Sequence, residues 1–277
     1  MGTGRRARNG LCPAAFRRKA PPVAKPAPLS IGIDFGTTNT VVAMAGADGV
    51  AEAVTFRHDG STLKGFVTAL CYWQERSGAR LTTRVEGGPF AMDQLMAGGG
   101  AQRFIQSFKS FAASASFKDT RIFGQTTRFE DLLVAFIQTL RRHADRDLDW
   151  SGARVQIGRP VRFAGGNPDE ALAMQRYRDA FGRLGLTDAH YVYEPVGAAF
   201  FYARALDRDA TVLVADFGGG TSDFSVMRFA RRDGRLTATP LSHAGIGIAG
   251  DSFDYRIVDH MVSPALGKGS DYRSLDK

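Results

Sequence analysis

Apolar runs broken by glycine turns organise the chain from residue 30 onward. Ser30–Asp34 reads S-I-G-I-D, a short buried strand. The turn Gly36-Thr37-Thr38-Asn39 follows, then a second strand over Thr40–Ala45 and a third over Val50–Phe56. Between residues 60 and 100 no period is clean, and Gly98–Gly100 marks a loop. A helix is expected from Ala101 to about Ala113. The next helix is better marked. Thr127 and Glu130 have capping-box spacing, and Phe129, Leu132, Leu133, Phe136, Ile137 and Leu140 fall on one face. Arg154–Gly158 predicts a strand. Asn167-Pro168-Asp169-Glu170 then opens a helix, with Asn as its N-cap, that ends at Gly185. Tyr191–Tyr193 predicts a strand, Pro195–Ala205 an apolar helix, Thr211–Asp216 and Ser222–Phe229 two strands, and Asp251–Val262 a last helix. The alternation is that of an α/β or α+β protein.

One unit occurs twice. Ile31–Thr38 reads I-G-I-D-F-G-T-T, and Val212–Thr221 reads V-L-V-A-D-F-G-G-G-T. In each, a strand ends in Asp-Phe-Gly, a Gly/Thr turn follows, and a second apolar strand leaves it. A repeated strand–turn–strand unit predicts a duplicated domain. Glycine-rich turns leave backbone N–H groups bare and can aim several at one point, which suits phosphate oxygens. The hydroxyls of Thr37, Thr38 and Thr221 add donors. Asp34 and Asp216 would repel phosphate unless Mg²⁺ lies between, and Mg²⁺ takes few protein carboxylates and keeps several waters.

Charge changes the picture once its position is considered. The 277 residues carry a net charge of +8, which taken whole points to nucleic acid or a membrane surface. Arg5, Arg6, Arg8, Arg17, Arg18, Lys19 and Lys25 all lie in the first 30 residues, without one acid. The rest is close to neutral, so no nucleic-acid partner is expected. Residues 1–29, rich in Pro, Gly and Ala, are expected to be a disordered basic leader. A nucleic-acid-binding arm and an organelle transit peptide remain its functional alternatives. No apolar run approaches membrane-spanning length. Cys12 and Cys71 give neither a disulfide framework nor metal spacing, and the five histidines form no ligand pattern.

Five ordered segments resemble the seventy-kilodalton heat-shock (Hsp70, DnaK-type) chaperone family of the actin–hexokinase–chaperone superfamily. Ile31–Thr40 and Val214–Asp223 are similar to its two phosphate loops. Tyr193–Ala199 (Y-E-P-V-G-A-A) is similar to its Glu-Pro segment, and Gly245–Asp254 (G-I-G-I-A-G-D-S-F-D) to the segment that opens a later helix. Ile157–Val161 with the helix after it looks most like the divergent YegD-type branch. The resemblance covers about residues 30–277. It implies an α/β, actin-like (ribonuclease H-like) ATPase fold, with a first lobe over 30–210 and the start of a second over 211–277.

The resemblance also implies roles. Asp34 and Asp216 would hold the Mg²⁺ water shell. Gly36, Thr37, Thr38 and Asn39 would contact phosphate from one side, and Gly218, Gly219, Gly220, Thr221 and Gly250 from the other. Asp223 would help orient the attacking water or the metal shell, and Glu194 would stand near the metal and water. Lys109, in Q-S-F-K-S-F, is the best match to the lysine that neutralises the transferred phosphoryl group, with a solvated helix lysine as its alternative. The implied cofactors are ATP and Mg²⁺. The implied partners are nucleotide, unfolded protein clients and co-chaperones, in a cytoplasmic setting. Arg159-Pro160-Val161-Arg162 stands where the family has Pro-Ala-Tyr-Phe, which puts the interdomain switch of that segment in question.

Two other nucleotide motifs fail. Gly245–Gly250 fits G-x-G-x-x-G, but the sequence after Val262 offers no second strand ending in an acid. Gly267-Lys268-Gly269-Ser270 lacks the Walker spacing. A second unit as long as the first would extend well past Lys277, so a C-terminally truncated chain is expected, with loss of catalysis as one alternative. A small-molecule kinase of the same superfamily is the other.

Overall fold

The computed structural model describes residues 30–46, 48–232 and 235–271; the basic leader and Cys12 lie outside them. The elements run β1 (Ser30–Phe35), β2 (Asn39–Ala45), β3 (Ala51–Ala53), β4 (Phe56–His58), β5 (Ser61–Leu63), β6 (Phe66–Val67), β7 (Ala69–Ser77), β8 (Arg80–Gly87), α1 (Pro89–Ala97) and β9 (Gln102–Gln106). A 3-10 turn (Phe108–Phe111) leads to β10 (Thr120–Ile122), β11 (Gln125–Thr127), α2 (Phe129–His143), β12 (Arg154–Arg159), α3 (Glu170–Arg183), β13 (His190–Tyr193) and α4 (Glu194–Ala203). The last group is β14 (Ala210–Phe217), β15 (Ser222–Arg232), β16 (Arg235–Ile246) and α5 (Gly250–Ile257), which runs on through a π-helical turn (Val258–Val262).

The main sheet has the order β13-β12-β1-β2-β3, with β6 pairing onto β2. β1 pairs antiparallel with β2 and parallel with β12, which in turn pairs parallel with β13. Ile31, Ile33 and Phe35 of β1 point to one side and are buried in one large cluster with Phe129, Phe136, Tyr177 and Phe181 of α2 and α3. A second sheet, β14-β15-β16, is antiparallel throughout. Met227 and Phe229 on one of its faces pack against Ala199 and Ala203 of α4 in a separate, smaller cluster. Helix α4 thus covers one face of the second sheet.

Several elements depart from the pattern read in sequence. Residues 102–106 form a strand, not a helix. Gly98, Gly99 and Gly100 all take positive φ, and the strand they release pairs antiparallel with β7. The expected third strand is split in two. Val54 is fully buried and its N–H bonds the Val42 carbonyl at 2.8 Å, so the chain turns there before the β4–β5 hairpin. α2 is capped one residue later than Thr127/Glu130 implied. Thr127 belongs to β11, and the Asp131 carboxylate accepts from Arg128 N–H at 2.8 Å. For α3 the cap is Asp169 rather than Asn167, accepting from Leu172 N–H at 2.9 Å. The stretch without clear period holds β5 to β8, and β16, interrupted by Pro240, had no sequence signal strong enough to mark it.

Candidate phosphate cleft between the two hairpins

The β1–β2 and β14–β15 hairpins present their tips to each other. In the first, Gly36 N–H bonds the Asp34 carbonyl at 3.2 Å, and a Cβ on Gly36 would come within 2.2 Å of the Asn39 carbonyl oxygen. That turn admits only glycine. Thr68 braces it from the β6–β7 corner. Its hydroxyl donates to the Gly36 carbonyl at 2.8 Å, and its N–H donates to the Thr38 carbonyl at 2.8 Å. In the second, Gly218 N–H bonds the Thr221 carbonyl at 2.9 Å. A Cβ on Gly219 would lie 2.3 Å from Thr38 Oγ1, and one on Gly220 would lie 2.8 Å from Thr37 Oγ1. The missing side chains let the tips close to contact.

α5 starts against the second tip. Gly250 N–H bonds the Gly218 carbonyl at 3.1 Å and Asp251 N–H the Gly219 carbonyl at 2.8 Å. Gly250 is therefore placed at the cleft wall, with its own N–H committed to the hairpin.

A cavity of about 410 Å³ lies between these parts. Its wall contains Asp34, Thr37, Thr38 and Asn39 from the first hairpin and Asp216, Gly218, Gly219 and Thr221 from the second. Lys109 and Glu194, 85 positions apart in sequence, meet in the same wall. Lys109 Nζ is 2.7 Å from Glu194 Oε1, with side-chain exposures of 6% and 10%. Lys109 is thus a buried, paired residue on a 3-10 turn and not a solvated helix lysine. Glu194 is set by two features of α4. It is the first residue of the helix, and Pro195 behind it fixes the turn. Gly158 at the end of β12 makes room below, since a Cβ there would lie 3.2 Å from Glu194 Cγ and 3.3 Å from Asp34 Oδ1.

The electrostatics are lopsided. Asp34, Asp216, Glu194, Asp251 and Asp254 line the cavity against one lysine. Burial pushes the Glu194 carboxyl up to about 7, opposed by Lys109 and reinforced by Asp34. Asp34 opens to solvent in the cleft, yet protein crowds its other sides. That desolvation raises its pKa, with Lys109 pulling it down. Asp216 is raised by burial first, then by the negative charges of Asp34 and Asp223. Facing carboxylates whose ionisation burial and mutual repulsion oppose fit a divalent ion bound through water. Among the described residues no cluster of three or more His, Cys, Asp or Glu side chains is placed to ligate a metal directly.

Asp223 and Gly220 stand apart from the cavity wall. Asp223 pairs across the ladder with Asp216, but it is 1% exposed and does not line the cavity. It accepts from Thr221 Oγ1 at 2.7 Å, from Val161 N–H at 2.9 Å and from Arg162 N–H at 3.3 Å. Gly245 opposite would place a Cβ 2.5 Å from Asp223 Oδ1, so the contact depends on that glycine too. Pro160-Val161-Arg162 is therefore tied to the second hairpin through one carboxylate.

Sequence reasoning did not single out Thr68, Gly158, Asp251 or Asp254. Thr68 carries no motif, and Gly158 lay inside the quoted Ile157–Val161 segment without a role; only the three-dimensional approach of backbone and side chains exposes what each does. Asp251 and Asp254 lay inside a quoted segment, in G-D-S-F-D, and could have been read as the acidic first turns of a helix facing the cleft.

The model of the Hsp70 protein family matches residues 115–274, more than half of the chain. The chain belongs to the Hsp70 family. The matched span carries Glu194, the whole second hairpin and α5, while the first hairpin and Lys109 precede it. Hsp70 membership gives a nucleotide-binding, chaperone-like function. Among the described residues of this Hsp70 chain, no helix is long and apolar enough to cross a membrane.

Proposed function

We propose that this Hsp70-family chain binds Mg²⁺-ATP between its two hairpins and hydrolyses it, as a cytoplasmic member of the YegD-type branch of the actin-like ATPases. Residues 30–210 form its first lobe, and residues 211–277 open a second on the same plan. The observation that carries this reading is the juxtaposition of two matched Asp-Phe-Gly turns at one cavity, with the Lys109–Glu194 pair in its wall. Phosphate oxygens would meet the turn amides and the hydroxyls of Thr37 and Thr38, while the Thr221 hydroxyl is committed to Asp223. Mg²⁺ held through water by Asp34 and Asp216 would neutralise phosphate charge. Lys109 supplies the one cation of the wall and points it at the cleft from a buried turn, where charge stabilisation is strongest. Glu194, with a pKa near the working pH, can hold or release a proton beside it. Asp223 contributes by anchoring the second hairpin to residues 161–162. The adenosine pocket, clients and co-chaperones would belong to the wider chaperone function.

The test is calorimetry of Mg²⁺-ATP on the full chain and on Asp34→Asn and Asp216→Asn. Each variant is expected to lose about tenfold or more in affinity, since one charged contact contributes roughly 1.5–3 kcal/mol. Equal binding by parent and variants would exclude this cleft. Transfer of phosphate to a sugar or other small alcohol, in place of release to water, would make the protein a kinase of the same superfamily.

A further inference from the structure

Lys109 sits on the weakest element of the site. Its 3-10 turn is a single turn, entered through Ser107 at a φ of +51° and left through successive short hydrogen-bonded turns to Phe117. Residues 107–117 contain no Gly, Pro, Asn or Asp, and their serines are the weaker turn formers. Phe108 anchors one side in the core, 5.6 Å from Phe35 and 5.8 Å from Phe136 between ring centres. The other side is held by a residue from α3.

That residue is Arg176. Its side chain is 8% exposed, an unusual position for a guanidinium. One terminal nitrogen donates to the carbonyls of Phe111, Ala112 and Ser114 at 2.8, 2.9 and 3.2 Å, and the other donates to that of Phe117. Glu130 is its nearest carboxylate, at 3.9 Å from Nε. A buried charge needs partners to offset its desolvation, and here backbone carbonyls provide them. The Phe111 and Ser114 carbonyls also accept backbone N–H groups within the segment, and Arg176 ties these short turns together.

We propose that Arg176 is a positioning residue for Lys109: by gathering the four carbonyls that follow the lysine turn, it fixes Lys109 Nζ against Glu194 in the cleft wall. The inference rests on the reading of Lys109 as the cation of the nucleotide site, but its own geometry needs no nucleotide. The planar fork explains the residue type. Two terminal nitrogens reach carbonyls up to six residues apart at once, which a lysine ammonium cannot span.

The experiment follows the ¹³Cε–¹Hε resonance of Lys109 in the full chain, assigned by its loss in Lys109→Met. In the parent the buried, paired ammonium is expected to give a signal apart from the solvated lysines. Arg176→Met should collapse it toward them, while a cooperative thermal melt shows that the fold persists. Arg176→Lys, which keeps the charge without the fork, should shift it part of the way. Turnover of ATP should fall in kcat by about tenfold or more with KM little changed, the pattern of a group used in the transition state. An unmoved Lys109 signal in either folded variant overturns the proposal. So does failure of both to fold, which would make Arg176 a folding residue only. If the signal moves but the parent hydrolyses no ATP, the positioning stands and the functional reading falls.

Discussion

The cleft is built from residues whose ionisation the fold opposes. Glu194 has an ordinary value of 4.5 and is pushed up to about 7 by burial. Between those values the folded protein keeps a proton that the unfolded chain releases, so stability falls as pH rises through that window and is level above it. Glu194→Gln should flatten the fall, even though it leaves Lys109 a neutral acceptor in place of a carboxylate. Asp34 and Asp216, raised in the same direction, should leave a residual slope at the acidic end. Denaturant midpoints from pH 4 to 8 measure this, and an unchanged slope in Glu194→Gln would assign the titration elsewhere. A second residue-level prediction concerns contact between the tips. Gly219→Ala sets a methyl 2.3 Å from Thr38 Oγ1, so the Thr38 side chain must turn aside or the hairpin tips part. At about 1–3 kcal/mol for overpacking, Mg²⁺-ATP should bind roughly ten- to hundredfold more weakly. Gly197→Ala in α4, where a Cβ meets nothing within 4 Å, is the control that should bind normally.

At the scale of elements, the tie between the second hairpin and residues 161–162 depends on one buried carboxylate. Asp223→Ala would leave two N–H groups and a hydroxyl without their acceptor, a loss of about 2–4 kcal/mol. Asp223→Asn keeps an acceptor for both N–H groups and lets Thr221 turn to accept, so it should stay close to parent stability. If Asp223 only anchors, Asp223→Asn also keeps its turnover; a role in orienting water would cost turnover in that variant while sparing the fold. Urea denaturation and steady-state rates on the pair separate the two. The same elements mark what the sequence could convey. Both hairpins were legible because Asp-Phe-Gly-Gly/Thr demands a turn after a strand, and β1, β12, β13 and β14 because their apolar runs are short and bounded. The segment around Lys109 was misread because helix and strand patterns overlap in Q-R-F-I-Q, and pairing with β7 decides between them. The partner of Lys109 was not legible at all, since the two residues meet only after α4 is docked. Arg176 looked like one more charge on a helix, because its acceptors are backbone atoms that no composition records.

The molecule as a whole is unevenly consolidated. The Asp-Phe-Gly motifs align Ile31, Ile33 and Phe35 with Leu213, Ala215 and Phe217. The first set is at most 2% exposed, under α2 and α3; Leu213 and Phe217 are 66% and 73% exposed. Helix α5 has no buried residue, and Phe253 and Tyr255 are more than half exposed. One face of the second sheet thus rests on α4, and the other is bare among the described residues. Local stability follows buried apolar contact, so the two sheets should not open together. Amides of β1, β2 and β12 should exchange slowly, and those of β14 to β16 faster at the same pH. Denaturant should release the second sheet before the first core, seen as two transitions or as a broadened one. The bare face should also bind a hydrophobic dye. The paired change Leu213→Ser and Phe217→Ser should reduce that binding while leaving the transition of the first core where it was, because neither side chain reaches that core. A single sharp transition with uniform protection would mean that the face is covered in solution, and a dye signal indifferent to the double change would place the exposed apolar surface elsewhere.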